Sequence, residues 1–209
     1  LSSSVRWRSA SESDVAKAEV GAAVGRWYKA LHQRGSELLQ QRHRKMSFLK
    51  RETAALDEQS IVAAAKALGL ADNPVWKVVF DSLDALKLAE SRLSLTLCYN
   101  DFHWTNLALT RPGISRTEAV VYDYHLLGIG MRYSDCRNVT WSLKPEAAAA
   151  FWDEYDYVDP REQVIDRPLS TIHALVVASR LPRFPYWAKE SRDAVINGNL
   201  LRELEEARL

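Results

Sequence analysis

Hydrophobic positions in the N-terminal part of the chain recur at helical spacing. Val20, Val24, Trp27 and Leu31 follow at intervals of four, three and four, which is one stripe of a helix. Ser11-Glu12-Ser13-Asp14 has the S-x-x-D form of a helix start, and Gly35 is the expected stop. Gly21, Ala22, Ala23 and Gly25 are small enough to let a second helix pack closely. His32 reads as a partly exposed histidine at the helix end, favoured there by the dipole. Residues 1–10 show no periodicity and read as an extended entry. A second helix is expected over 54–68, with Ile61, Ala65 and Leu68 on one side and Gly69 as the stop. Asn73-Pro74 restarts the chain as N-cap and first helical residue. Val75, Val79, Leu83, Leu86 and Glu90 then trace a mostly apolar face.

The period changes after that helix. Leu95-Thr96-Leu97-Cys98, Leu107-Ala108-Leu109 and Ala119-Val120-Val121-Tyr122 are short apolar runs that predict three strands. Arg111-Pro112-Gly113 supplies turn chemistry between the last two. Helical spacing returns beyond Asp135, where Val139, Trp141 and Leu143 precede a new helix beginning at Lys144-Pro145. Phe151, Trp152 and Tyr155 give that helix a bulky side. Pro168 to Arg180 predicts an apolar helix through Ile172, Leu175 and Val176, with His173 as a core or boundary histidine. Pro182-Arg183-Phe184-Pro185 breaks the chain, and a final amphipathic helix carries Ala194, Ile196, Leu200, Leu201 and Leu204. The pattern predicts an α+β fold, mostly helical, with a small β-hairpin insert.

Composition narrows the field. At 209 residues the chain can bury one good core. A net charge of +1 offers nothing global to nucleic acid or an acidic membrane. The basic stretch over 36–52, with Arg42, His43, Arg44, Lys45, Lys50 and Arg51, reads as a solvated helical face, because only Phe48 interleaves it. No apolar run is long enough to span a bilayer, and no signal-peptide pattern opens the chain. Two cysteines, Cys98 and Cys136, make no disulfide framework. These readings predict a cytoplasmic protein with neither nucleic-acid nor membrane partners, and leave its oligomeric state open.

The candidate chemistry sits at the strand ends, where Asp101, Asn106 and Asp123 fall. Taken singly, each is an ordinary turn residue. Together they form Asp–x4–Asn on one loop and an Asp after a later strand, all bearing the hard oxygen donors that suit Mg²⁺. Cys98-Tyr99-Asn100-Asp101-Phe102-His103-Trp104-Thr105-Asn106 resembles the H-[GN]-D-[FL]-H-x-x-N loop of the aminoglycoside phosphotransferase and choline kinase family. Tyr122-Asp123-Tyr124, Gly128-Ile129-Gly130 and Tyr133-Ser134-Asp135 resemble its I-D-[FW]…G…D segment. Protein kinases, with H-R-D and D-F-G, match poorly.

The resemblance implies the C-terminal lobe of a protein-kinase-like fold and an ATP- and Mg²⁺-dependent small-molecule kinase. The acceptor would be a hydroxyl of an aminoglycoside, choline, or a similar amino alcohol or sugar. Asp101 would be the catalytic base, Asn106 and Asp123 the Mg²⁺ ligands, and Asp135 and His103 the braces of the loop. Ala108 and Tyr122 would be nucleotide contacts. Tyr99 stands where the family has His. The resemblance covers residues 1–209 as a single catalytic lobe. The chain begins at Leu1, and no G-x-G-x-x-G or strand-borne Lys precedes the first helix, so the N-terminal ATP-clamping lobe is expected to be absent and this chain alone to depend on it for activity. Two other readings stay open: a lobe that binds nucleotide or a partner without catalysis, and a helical binding domain with a fortuitous motif. The acidic group Asp153, Glu154, Asp156 and Asp159 reads either as a solvated helix end or as a site for a cationic substrate. Trp104 and Trp152 are candidates for a quaternary-amine cage, with core packing as the competing role.

Overall fold

The computed structural model describes residues 6–42, 48–113 and 115–207. The elements run β1 (Trp7–Ser9), α1 (Ala18–Arg42), α2 (Glu58–Ala67), α3 (Val75–Ser91), β2 (Thr96–Cys98), β3 (Leu107–Thr110), β4 (Ala119–Val121), β5 (Gly128–Gly130), α4 (Arg132–Ser142), α5 (Pro145–Tyr155), α6 (Pro160–Ala178), α7 (Lys189–Ile196) and α8 (Asn199–Glu206). They form two compact units, one from Leu1–Leu49 with Leu95–Val158 and one from Lys50–Ser94 with Asp159–Leu209. His43, Arg44 and Lys45 of the expected basic face lie outside the described residues, as does the start of the extended entry.

The first unit holds all five strands. β3 pairs antiparallel with both β1 and β4, with Ser9 opposite Ala108 and Ala108 opposite Val120. β2 pairs antiparallel with β5, placing Cys98 opposite Gly128. Helix α1 lies against α5, β2 and β4. Its small residues make this possible: a Cβ at Gly21 would fall 1.9 Å from the Ala147 carbonyl oxygen, and one at Gly25 would fall 2.6 Å from that of Phe151. The core beneath joins Val20, Val24, Tyr28, Tyr99, Phe102, Leu107, Leu109, Val121, Val139 and Phe151. Trp104 and Trp152 pack against this core and are partly buried.

Gly35 does not end α1, which continues to Arg42. A Cβ there would come within 2.6 Å of Thr96 Oγ1 and 2.7 Å of the Leu97 nitrogen. The glycine is a contact point between helix and strand, not a cap. Ser11 opens a 3-10 turn over Glu12–Ala16, and the helix itself begins two residues later. In that turn buried Asp14 binds Arg8 at 2.7 and 2.9 Å and Lys17 at 2.7 Å, which holds its carboxyl well below the usual carboxylate range.

The second unit is helical. Asp57 caps α2 by accepting from the Ser60 nitrogen at 2.6 Å, and Gly69 beyond its end has φ +67. Asn73 Oδ1 accepts from the Val75 nitrogen at 3.0 Å at the start of α3. Helix α6 contacts α2, α3, α7 and α8 through buried Ile165, Leu169, Ile172 and Leu175. It starts at Pro160, not at Pro168, with Asp159 as its N-cap. The chain holds its helical path through Pro168 because that residue and its neighbours on the apolar side are buried, which offsets a missing backbone donor. His173 pairs with Glu52 at 2.9 Å. The expected final helix is two, α7 and α8, broken where Gly198 takes φ +79. No helix among the described residues is long and apolar enough to cross a membrane.

Candidate active site

The site forms where β2 and β4 of the first unit end and β3 begins. Strand β2 stops at Cys98, and the chain turns through Asn100, whose φ is +64. Strand β4 stops at Val121, and Asp123 takes φ +68. Asn and Asp tolerate this left-handed region better than most residues, yet two of them in neighbouring turns store backbone strain that the surroundings must hold. The turns aim Asp101 and Asp123 toward each other, and their carboxylates share a neighbourhood with the His125 ring, all three ligand atoms lying within 4.8 Å of one another. Asn106, at the foot of β3, donates from Nδ2 to Asp101 Oδ2 at 3.0 Å and to the Asp101 carbonyl at 3.3 Å. Its backbone carbonyl accepts from the Tyr122 nitrogen at 3.0 Å. Asp101, Asn106 and Asp123 thus converge.

Asp135 sits behind this group on α4, fully buried. Its Oδ2 accepts from the Tyr99 nitrogen at 2.7 Å and its Oδ1 from the Asn100 nitrogen at 2.9 Å. One carboxylate therefore satisfies two consecutive buried amides at the start of the turn. His32 Nε2 lies 3.0 Å from the same Asp135 Oδ2, and His32 Nδ1 lies 2.5 Å from the Tyr155 hydroxyl. His32 is 1% exposed and stands inside α1, so its reading as a partly exposed helix-end residue is overturned: the helix runs on past Gly35 and carries His32 into the interior. A chain of Tyr155, His32, Asp135 and the Tyr99-Asn100 backbone links α5, α1 and α4 to the loop.

Tyr99 occupies the position at which the resembled family has His. Its ring is buried edge-on against Trp27 and Tyr28. Its hydroxyl donates to the Tyr122 carbonyl, the peptide that leads into Asp123. Burial pushes the phenol above its ordinary range, the charge of Asp101 adds to the effect and the amide of Asn106 opposes it, so the group stays a donor. The Tyr122 hydroxyl donates back to the Thr105 carbonyl, and Tyr124 donates to the Val121 carbonyl at 2.7 Å. The hydroxyls of Tyr99 and Tyr122 thus tie the Asp101 and Asp123 segments together.

His103 is exposed, and its Nδ1 lies 2.8 Å from Thr105 Oγ1, capping the 3-10 turn over Trp104–Asn106. Ala108, half-buried on β3, pairs with Val120, and Tyr122 is exposed beyond the end of β4. Three of the four acidic residues have cationic partners. Glu154 pairs with Arg26 at 2.6 Å and with Arg116 at 3.6 Å, Asp156 pairs with Lys29 at 3.5 Å, and Asp159 is held by Arg161 at 2.6 Å. Two residues of the site escaped the sequence-based reading of its centre. His125 carried one available signal, its place two positions past Asp123. Tyr155 carried none.

The donor set can hold a hard divalent cation: Asp123 is half-exposed, and Asn106 commits its amide nitrogen to Asp101, which leaves its amide oxygen for another partner. Asp101, one-third exposed, can take a proton from a hydroxyl placed against it.

No protein-family model matches the sequence, and no curated protein matches it. Solved structures do. A choline/ethanolamine kinase family protein from Mesorhizobium loti matches with a TM-score of 0.54 at 16% identity, over 97% of this chain and 71% of that one. The ethanolamine kinase of Plasmodium vivax matches with a TM-score of 0.52 at 15% identity, over 95% of this chain and 65% of that one. At such low identity the likeness is one of fold, and it gives this chain the kinase-like fold of these small-molecule kinases, over roughly two thirds of their length.

Proposed function

We propose that the chain is the catalytic part of a phosphotransferase that moves the terminal phosphate of ATP to a hydroxyl of a small molecule, with an amino alcohol as the first class of acceptor. The observation that carries this reading is the convergence of Asp101, Asn106 and Asp123 at three strand ends, with Asp101 and Asn106 joined at 3.0 Å. Phosphoryl transfer asks mainly for positioning and charge neutralisation, and the site consists of groups suited to both. Asp101 orients the acceptor hydroxyl and takes its proton. Asn106 fixes the rotamer of Asp101 through its amide nitrogen. Asp135 and His32 hold the backbone that carries Asp101, and His103 caps the turn that follows. Tyr99 keeps Asp123 in register with that loop. Asp123, with the Asn106 amide oxygen, would hold Mg²⁺. When bound, that ion neutralises phosphate charge. The kinase-like fold and the amino-alcohol kinases that share it support the reading. Because Glu154, Asp156 and Asp159 have cationic partners, recognition of an acceptor ammonium is not assigned to them.

Steady-state ADP release with Mg·ATP and a panel of ethanolamine, choline, aminoglycosides and sugars tests the proposal. Replacing Asp101 by Asn should lower kcat by on the order of 10²–10⁴-fold, the scale of a lost general base, with little change in nucleotide affinity. Activity within a few-fold of the parent would refute the assignment. Thermal unfolding adds a binding readout: Mg·ATP at about 100 times Kd should stabilise the fold by roughly 2.7 kcal/mol, and Asp123→Asn should abolish the shift. A shift without turnover would support a non-catalytic nucleotide-binding lobe.

A further inference from the structure

We propose that His125 is a third protein ligand of the metal centre, binding through Nδ1, and that its imidazole gives the site a preference for Mn²⁺ over Mg²⁺. The inference rests on the metal-binding role of Asp123 proposed above and assigns a residue and a specificity to that site. Nδ1 of His125 lies 2.8 Å from Asp123 Oδ1 and 3.9 Å from Asp101 Oδ2. Bonds of about 2.1 Å to a small divalent ion set opposite donors about 4.2 Å apart. Nδ1 and Asp123 Oδ1 are therefore within reach of one ion, and the Asp101 carboxylate borders the same space, its oxygen within 4.8 Å of both. The three side chains are open to solvent, His125 and Asp123 more than half, so an ion reaches them without unfolding anything. The positive φ of Asp123 turns the chain so that the side chain two positions on comes back over its carboxylate.

The other histidines near the site are committed elsewhere. His103 Nδ1 is engaged by Thr105. His32, Cys98 and Asp135 also cluster, but both Asp135 oxygens are occupied by backbone amides in the interior. His125 alone among these faces the carboxylates at the mouth of the site. Imidazole nitrogen is a poor donor for Mg²⁺ and a good one for borderline transition metals, while carboxylate and amide oxygen suit Mg²⁺ and Mn²⁺ alike. Of the two ions that the oxygen donors hold alike, a mixed set with one imidazole thus favours Mn²⁺ over Mg²⁺.

The test uses Mn²⁺ with pyrophosphate, a phosphate ligand without nitrogen. Electron paramagnetic resonance counts bound Mn²⁺, and spin-echo modulation detects a coordinated imidazole nitrogen. The parent chain should show nitrogen modulation, and His125→Ala should lose it. The same variant should weaken Mn²⁺ by at least about 10-fold, the lower end of what altered metal surroundings cost, while Mg²⁺ competition shifts less than twofold. Mn²⁺ binding that needs Asp123 but lacks nitrogen modulation would overturn the role of His125 and leave the metal centre standing. Modulation lost in His103→Ala instead would do the same. Mn²⁺ binding unaffected by Asp123→Asn, or none at all, would overturn both.

Discussion

Replacing Gly35 by Ala sets two opposed effects against each other inside α1. Alanine is favoured over glycine in a helix interior by about 1 kcal/mol, so local propensity predicts a more stable protein. Packing predicts the reverse. The new Cβ would lie 2.6 Å from Thr96 Oγ1, 2.7 Å from the Leu97 nitrogen and 2.9 Å from Leu97 Cβ, where ordinary contact begins at 3.4 Å. All three atoms belong to β2, which cannot retreat freely. Thr96 Oγ1 donates to the His32 carbonyl at 2.6 Å, and the strand runs directly into the Tyr99 and Asn100 amides held by Asp135. Forcing extra volume into such a contact costs about 1–3 kcal/mol, and more where backbone must move. The net expectation is a loss of about 1–2 kcal/mol, or roughly 2–8 °C in Tm for a chain of this size. Urea unfolding measures it, with Ala30→Gly as control: Ala30 is exposed on the same helix, and there the glycine should cost about 1 kcal/mol. The Gly35 variant should also turn over more slowly, because β2 carries the Asp101 loop. A Gly35→Ala protein more stable than the parent would refute the packing argument.

Removing the Asp135 carboxylate by Asp135→Ala strands two buried amides and His32, and should cost about 3–5 kcal/mol in urea unfolding, with Asp135→Asn recovering part of it. A loss below about 1 kcal/mol would show that the loop supports itself. Asp14 gives a pH signature. Its folded pKa is depressed, chiefly by Arg8, so its stabilisation is complete above the unfolded value of about 3.9 and is lost as pH falls from there toward the depressed folded value. Asp14→Asn should therefore lower stability at neutral pH and flatten the acid limb of a Tm-against-pH curve below about pH 4. An unchanged limb would assign the acid sensitivity to other carboxylates.

Much of the site was legible because its residues mark ends. Asp101, Asn106 and Asp123 each follow or open a short apolar run, and strand ends on one side of a small sheet meet in space. Asp135 was legible through the glycine-containing segment that precedes it. His32 was misjudged because its surroundings depend on where α1 stops. Gly35 carries the local signal of a cap, and only contact with β2 reveals that its missing side chain serves packing. Pro168 hid the first half of α6 for a similar reason: proline reads as a start, and burial on both sides of it is a tertiary fact. The Asn197-Gly198 step, by contrast, was readable turn chemistry that the continuing apolar spacing from Ala194 to Leu204 obscured.

The strands of the first unit are three or four residues long, and this has a consequence for how the protein comes apart. Little of the rigidity around Asp101 and Asp123 is supplied by sheet hydrogen bonds. It comes from side chains that reach across to backbone: the Asp135 carboxylate and the hydroxyls of Tyr99 and Tyr122. Such tethers exist only while the side chains are locked in place. In a loosened, acid-induced state the long helices can persist and keep the far-ultraviolet dichroism nearly native, while the tyrosine environments that dominate the near-ultraviolet signal average out. The nucleotide binding proposed above should vanish with the second signal and not with the first.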